Sequence, residues 1–186
     1  MAAPPWPAPM TGLMDSTRTA AGRHFLWGRL SALGLSLALL AFLADQSFKW
    51  WMLHELDIAA SQPIAITPFF SLVLAWNNGV SYGWFAQNDG LGQLILIILS
   101  LLAAAGLWVW LTRTLSPLTA ASLGLIIGGA LGNALDRMLH GAVADFFLFH
   151  AFGFSWYIFN IADIAIVAGV FLLIYESFAE NRRQGK

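Results

Sequence analysis

Three short stretches concentrate the residues that could do chemistry: Gly132-Asn-Ala-Leu-Asp-Arg137, Gly141-Ala-Val-Ala-Asp-Phe146 and Phe159-Asn-Ile-Ala-Asp163. They hold three carboxylates, two asparagines and an arginine among residues that otherwise favour lipid. An ionisable group at membrane depth costs about 2.5–3.5 kcal/mol on insertion scales, so each is a functional candidate by default. With no cysteine in the chain and no metal-like spacing of His54, His140 or His150, thiolate and metal chemistry have no residues to work with. Paired carboxylates can instead run acid–base chemistry on water. One ionised Asp takes a proton from water as it attacks a carbonyl, and a protonated Asp donates to the oxyanion. Two carboxylates a few Å apart do not ionise equally, and this creates the two roles. Asp145 and Asp163 suit them best: one on an outer strand or loop, the other at the start of a helix just inside the membrane. Asp136 is expected to pair with Arg137 or a neighbouring donor. For Asp45 and Asp136 the plain alternative is a hydrogen bond between helices, and Asn77 and Gly79 are a turn signal before anything else.

The elements that position these groups follow from composition. The chain is 59% hydrophobic and 10% charged, with a mean hydropathy of +0.70. Soluble domains are about 25% charged, so this is an integral membrane protein. The net charge of −1, with no Lys/Arg cluster, excludes a nucleic-acid partner. Nine tryptophans and fourteen phenylalanines fit interfacial belts and lipid contact.

Residues 1–27 are Pro-rich and aperiodic and read as a disordered tail. Residues 28–178 form the membrane domain, and residues 179–186 a cytoplasmic tail. The basic flank and apolar run near the start resemble a signal peptide, but small-x-small spacing is poor before Asp45, so an uncleaved anchor is expected. The charge-free run 30–44 is too short for a crossing of ~20 residues. The first span therefore takes in Asp45 and continues to about Lys49, with Trp50 and Trp51 at the interface. Asp45 and Lys49 share a face and can pair while Lys49 snorkels outward. The second span lies between Asp89 and Arg113, with Asn88 or Asp89 as N-cap. The third lies between Arg113 and Asp136. Its Gly124, Gly128 and Gly132 form a stripe for close helix approach, which Asp136 continues. The fourth must begin near Ile158 and carry Asp163 inside.

Four spans place both termini on one side, together with seven of the nine basic residues. The positive-inside rule makes that side cytoplasmic, so Asp45, Asp136, Asp145 and Asp163 gather at the outer end. Phe70–Trp76 alternates like a strand, Asn78-Gly79 signals a hairpin into Val80–Trp84, and 143–149 supplies a further strand that carries Asp145 and turns at Gly153. An open sheet cannot face lipid, so it should sit at the outer surface, built from about 52–90 and 140–157. The expected fold class is an all-α membrane protein with a small β element: four transmembrane helices plus an outer-surface β-cradle.

Asp45-Gln-Ser-Phe-Lys49, Asn77-Asn-Gly79, Gly128-Gly-Ala-Leu-Gly-Asn-Ala-Leu-Asp-Arg137, Gly141-Ala-Val-Ala-Asp-Phe146 and Phe159-Asn-Ile-Ala-Asp163 occur in this order. In these motifs the chain resembles the lipoprotein signal peptidases (signal peptidase II), bacterial membrane aspartic proteases, from about residue 28 to 176. The resemblance implies a catalytic dyad of Asp145 and Asp163. It implies site-organising or substrate-binding roles for Asp45, Lys49, Asn77, Gly79, Asn133, Asp136, Arg137 and Asn160. It further implies no cofactor and no metal, a diacylglyceryl-prolipoprotein substrate cut just before its lipidated cysteine, membrane lipids as surroundings, and inhibition by globomycin-type cyclic peptides. A monomer in the bacterial inner membrane, with its site on the periplasmic side, is expected. Phe48 and Ile164 depart from the family pattern, where Thr or Ser and Ser respectively are common. The competing class is a small ion- or proton-coupled transporter subunit, which would need charges through the depth of the spans.

Overall fold

A computed structural model describes residues 26–79 and 90–184. Among these described residues, four helices are long and apolar enough to cross a membrane. They are α1 (Ser31–Trp50, prolonged by a π-helical turn, Trp51–Glu55), α3 (Gly90–Arg113), α4 (Pro117–His140) and α5 (Ile161–Gln184); a single turn, α2 (Ile58–Ser61), follows the π-helical segment. The first span thus runs further than Lys49: Trp50 and Trp51 lie within continuous helix instead of closing it. The expected cap of α3 and the strand after Gly79 fall outside the described residues.

The third span, α4, is the centre of the bundle, and glycine puts it there. A Cβ on Gly124 or Gly128 would run into the carbonyls of Gly34 or Ala38 on α1, and one on Gly129 into the carbonyl of Ala162 on α5. Close approach of backbones replaces the hydrophobic drive that lipid removes. The helix is delimited by its own chemistry. The Ser116 side chain accepts the Thr119 N–H, Pro117 occupies the first turn, and Gly141 closes the helix at φ 70°, a conformation glycine adopts freely.

Between the spans lies an antiparallel sheet in the order β1 (Ile64–Thr67), β2 (Phe70–Asn77), β3 (Val143–Ala151), β4 (Phe154–Ser155). The turn into β4 is made by Phe152 and Gly153, both at positive φ, as expected of a primed two-residue hairpin turn. The strand β2 ends at Asn77 and pairs with β1 and β3. Met52, Ile58, Ala144 and Phe146 form a buried cluster under the sheet, with Phe48 packed on it. The departure at Phe48 therefore has a structural use: its ring meets Phe146 edge-on at 5.8 Å. This cluster seats β3 on the C-terminal end of α1.

Candidate active site

Asp145 is delivered by strand register. Ala75 of β2 lies opposite Asp145 of β3, and side chains two apart share a sheet face. Asn77 therefore reaches Asp145 diagonally, its Nδ2 donating to Oδ2 at 3.1 Å. Asp163 is delivered by a helix cap. Asn160 precedes α5 and accepts the Asp163 N–H at 2.9 Å, while its own N–H donates to Asp163 Oδ2 at 3.2 Å. This is a reciprocal capping box with Asn and Asp in the two roles, and it explains why α5 begins at Ile161 instead of near Ile158.

The same Asn160 joins the two carboxyls. Its Nδ2 donates to Asp145 Oδ1 at 2.6 Å and to Asn133 Oδ1 at 3.2 Å, and Asn133 Nδ2 donates to Asp163 Oδ1 at 2.9 Å. Asp145 is 2% exposed. Burial, reinforced by the charge of Asp163, pushes its carboxyl up to about 7 against the hydrogen bonds from Asn160 and Asn77 and the charge of Lys49. It can therefore hold a proton near neutral pH, as one member of an acid–base pair must.

Behind the pair lies a buried ionic cluster that corrects one expectation. Lys49 does not snorkel outward. It is 3% exposed and its Nζ sits 2.8 Å from both Asp45 Oδ2 and Asp136 Oδ2. The i,i+4 spacing showed the first partner, but the second comes from α4, whose glycines let α1 close on it. Of the partners expected for Asp136, Arg137 or a neighbouring donor, the structure gives the second, in Lys49. Gln46, which the sequence reading passed over, donates to Asp45, Asp136 and the Gly132 carbonyl. Its only signal was its place beside Asp45 on a membrane helix. Both carboxylates also hold a backbone amide: Asp45 Oδ1 accepts the Ala162 N–H at 2.9 Å, and Asp136 Oδ2, the oxygen that meets Lys49, accepts the Ala144 N–H at 3.1 Å. Lys49 further donates to Asn133 Oδ1 at 3.4 Å. Arg137 donates to the carbonyls of Asn133 and Gly79, and the Gly79 N–H to Asn77 Oδ1. All ten candidate residues thus belong to one connected network.

His150, which the sequence showed only to lack a metal-like spacing, has a partner on β2. Its Nε2 lies 2.9 Å from Ser71 Oγ, and its ring lines an apolar cavity of about 740 Å³ that reaches Asp163. Among the described residues no group of three His, Cys, Asp or Glu is placed to hold a metal ion.

Residues 37–179 match the family described as signal peptidase (SPase) II. The chain belongs to the signal peptidase II family. A lipoprotein signal peptidase of Nitrobacter hamburgensis is 49% identical over 149 residues, covering 78% of this chain and 91% of that relative. One of Methylorubrum extorquens is 54% identical over 142 residues, covering 76% and 83%. A bacterial membrane enzyme solved by the in meso method at 2.3 Å resolution is similar with a TM-score of 0.69 and 25% identity, over 81% of this chain and 90% of that one. Membership of the signal peptidase II family makes this chain a peptidase of the aspartic type and a multi-pass bacterial membrane protein, in keeping with its four apolar spans.

Proposed function

We propose that this chain removes the signal peptide from diacylglyceryl-modified prolipoproteins, cutting just before the lipidated cysteine, with Asp145 and Asp163 as the catalytic dyad. The observation that carries this reading is Asn160, which hydrogen-bonds both carboxyls through one side chain and its own backbone. In the reaction, the ionised member takes a proton from water as the water oxygen bonds to the scissile carbonyl carbon. The protonated member donates to the carbonyl oxygen. Collapse of the tetrahedral intermediate breaks the C–N bond, and the amine of the new N-terminal cysteine leaves with a proton from the dyad. Asn77, Asn133 and Asn160 donate to the carboxylate oxygens and so hold their orientation through the charge change.

The remaining candidate residues keep this arrangement in place: Lys49, Asp45 and Asp136 from beneath, and Arg137 of α4 through its bond to the Gly79 carbonyl. We place the site on the periplasmic side, with both termini cytoplasmic, because basic residues collect at the opposite ends of the spans. The protein works as a monomer among membrane lipids and is a target for globomycin-type cyclic peptides. The transporter reading finds no support: ionisable groups in α1 and α4 collect toward one end and do not run through the spans. The deciding experiment is incubation of the purified chain with a diacylglyceryl-prolipoprotein, followed by gel shift and mass spectrometry of the products. Processing to a new N-terminal lipidated cysteine is expected; an unprocessed precursor, with a known peptidase as positive control, refutes the assignment.

A further inference from the structure

The cavity beside Asp163 is not used by the hydrolytic chemistry. It begins at that carboxyl and continues along one face of α5 past Ile164, Val167, Ala168 and Phe171, under the aromatic hairpin that carries Phe149 and His150. The stretch from Asp163 to Phe171 rises about 12 Å at 1.5 Å per residue, into the span. Its polar groups are the Asp163 carboxyl, the His150 ring, the Tyr157 hydroxyl and the Trp156 indole N–H, set among phenylalanine and alkyl groups. Its Nε2 is engaged by Ser71. When the Ser71 hydroxyl donates to Nε2, the neutral ring carries its proton on Nδ1 and can donate there. An apolar cleft with few polar groups, opening from a reactive centre into a membrane, fits a neutral lipid ester.

We propose that this cavity takes one acyl chain of the diacylglyceryl group on the substrate cysteine, and that His150 donates a hydrogen bond to that chain's ester carbonyl. The assignment rests on the proposed peptidase function. The cavity, about 740 Å³, has room for one acyl chain along this face of α5. Charge decides against a phospholipid, whose phosphate would face the Asp145 and Asp163 carboxyls, whereas the thioether-linked diacylglyceryl group is uncharged. An acyl chain occupies the groove for about eight to ten methylenes. Because lipid tails are as apolar as the groove, fit and not hydrophobic transfer selects the chain.

The test uses full-length enzyme in bilayers and synthetic prolipoprotein peptides bearing dihexanoyl or dipalmitoyl glycerol, plus an ether-linked dipalmityl analogue. Ala168→Phe, and separately Val167→Trp, fill the groove. Each is expected to raise KM for the dipalmitoyl substrate at least tenfold with kcat nearly kept, and to change kcat/KM for the dihexanoyl substrate less than twofold. His150→Phe keeps a ring but loses the donor. It is expected to cut kcat/KM about fivefold on the ester substrate, the scale of one hydrogen bond, and to leave the ether analogue unchanged. Equal losses on both chain lengths overturn the assignment in favour of the peptide segment, and unchanged kinetics overturn it outright. Equal effects of His150→Phe on ester and ether remove the hydrogen bond. If the unmodified enzyme cleaves none of the three while a known peptidase cleaves them, the peptidase function itself fails and the acyl site with it.

Discussion

Replacing Lys49 by methionine tests the buried cluster most directly. The ammonium is 3% exposed and lies 2.8 Å from each of two carboxylates that are themselves 0% and 2% exposed. Methionine fills a similar volume, so packing is largely kept while the only cation between Asp45 and Asp136 is lost. An exposed pair would be worth ~0.2–1 kcal/mol, but removing one partner from a buried pair costs about 3–5 kcal/mol, because an uncompensated charge remains inside. At ~2–4 °C per kcal/mol for a chain of this size, thermal unfolding in detergent should begin about 6–20 °C lower. Protonating one carboxyl removes the excess charge, so the deficit should shrink as pH falls. Adding Asp136→Asn to Lys49→Met restores the net charge of the cluster and should recover part of the loss. A Lys49→Met protein that melts within about 2 °C of the parent at neutral pH, with no pH dependence of the difference, would refute the reasoning.

Asp145→Asn and Asp163→Asn should each lower kcat by at least ~10³-fold while the protein still inserts and keeps its melting behaviour, since both roles are needed in one transition state; near-parental cleavage by either variant would remove that residue from the dyad. With Asp145 held at about 7, the dyad keeps its single proton below that pH and loses it above. On the alkaline side kcat/KM should therefore fall about tenfold per pH unit, and a profile flat to pH 9 would contradict this. Asn77 donates to Asp145 and favours its ionised form, so Asn77→Ala should move that alkaline limb to higher pH; a shift the other way would show that Asn77 acts on substrate instead. Cleavage should continue in excess EDTA, because a carboxylate activates the water, and loss of activity restored by a divalent ion would overturn the aspartic mechanism.

Much of the frame was legible because membrane insertion writes itself into composition. Charge-free windows located the spans, and the shortness of 30–44 required that Asp45 lie inside a helix, as it does. The Gly124, Gly128, Gly132 stripe announced a close helix contact without saying which helix came. That omission explains the error at Lys49: the i,i+4 pairing with Asp45 was local, whereas Asp136 arrives from 87 positions further along the chain. Asn160 was seen as a site residue, yet its capping role was not, and so the start of α5 was placed three residues early. The strand β1 was missed because four residues after Pro63 carry too little alternation to separate strand from loop. His150 was missed for a similar reason. A single histidine in an aromatic run has no periodic partner in the sequence, and only the register of β2 on β3 brings Ser71 to it.

The amides held by Asp45 and Asp136 belong to Ala162 and Ala144, the residues immediately before Asp163 and Asp145. A single cation, Lys49, spans the two clamps. The distance between the reactive groups is thus gauged from below, by α1 lying correctly against α4 and α5. Turning α1 by one residue, 100° about its axis, would carry Asp45 off the Ala162 amide and Lys49 off Asp136, leaving the remaining clamp on Ala144 without its counter-charge. A freshly inserted chain whose spans have not yet assembled would therefore carry both aspartates and still be inert. Hydrolytic competence would arrive only with the last step of helix docking, so the bilayer is never exposed to a half-built protease.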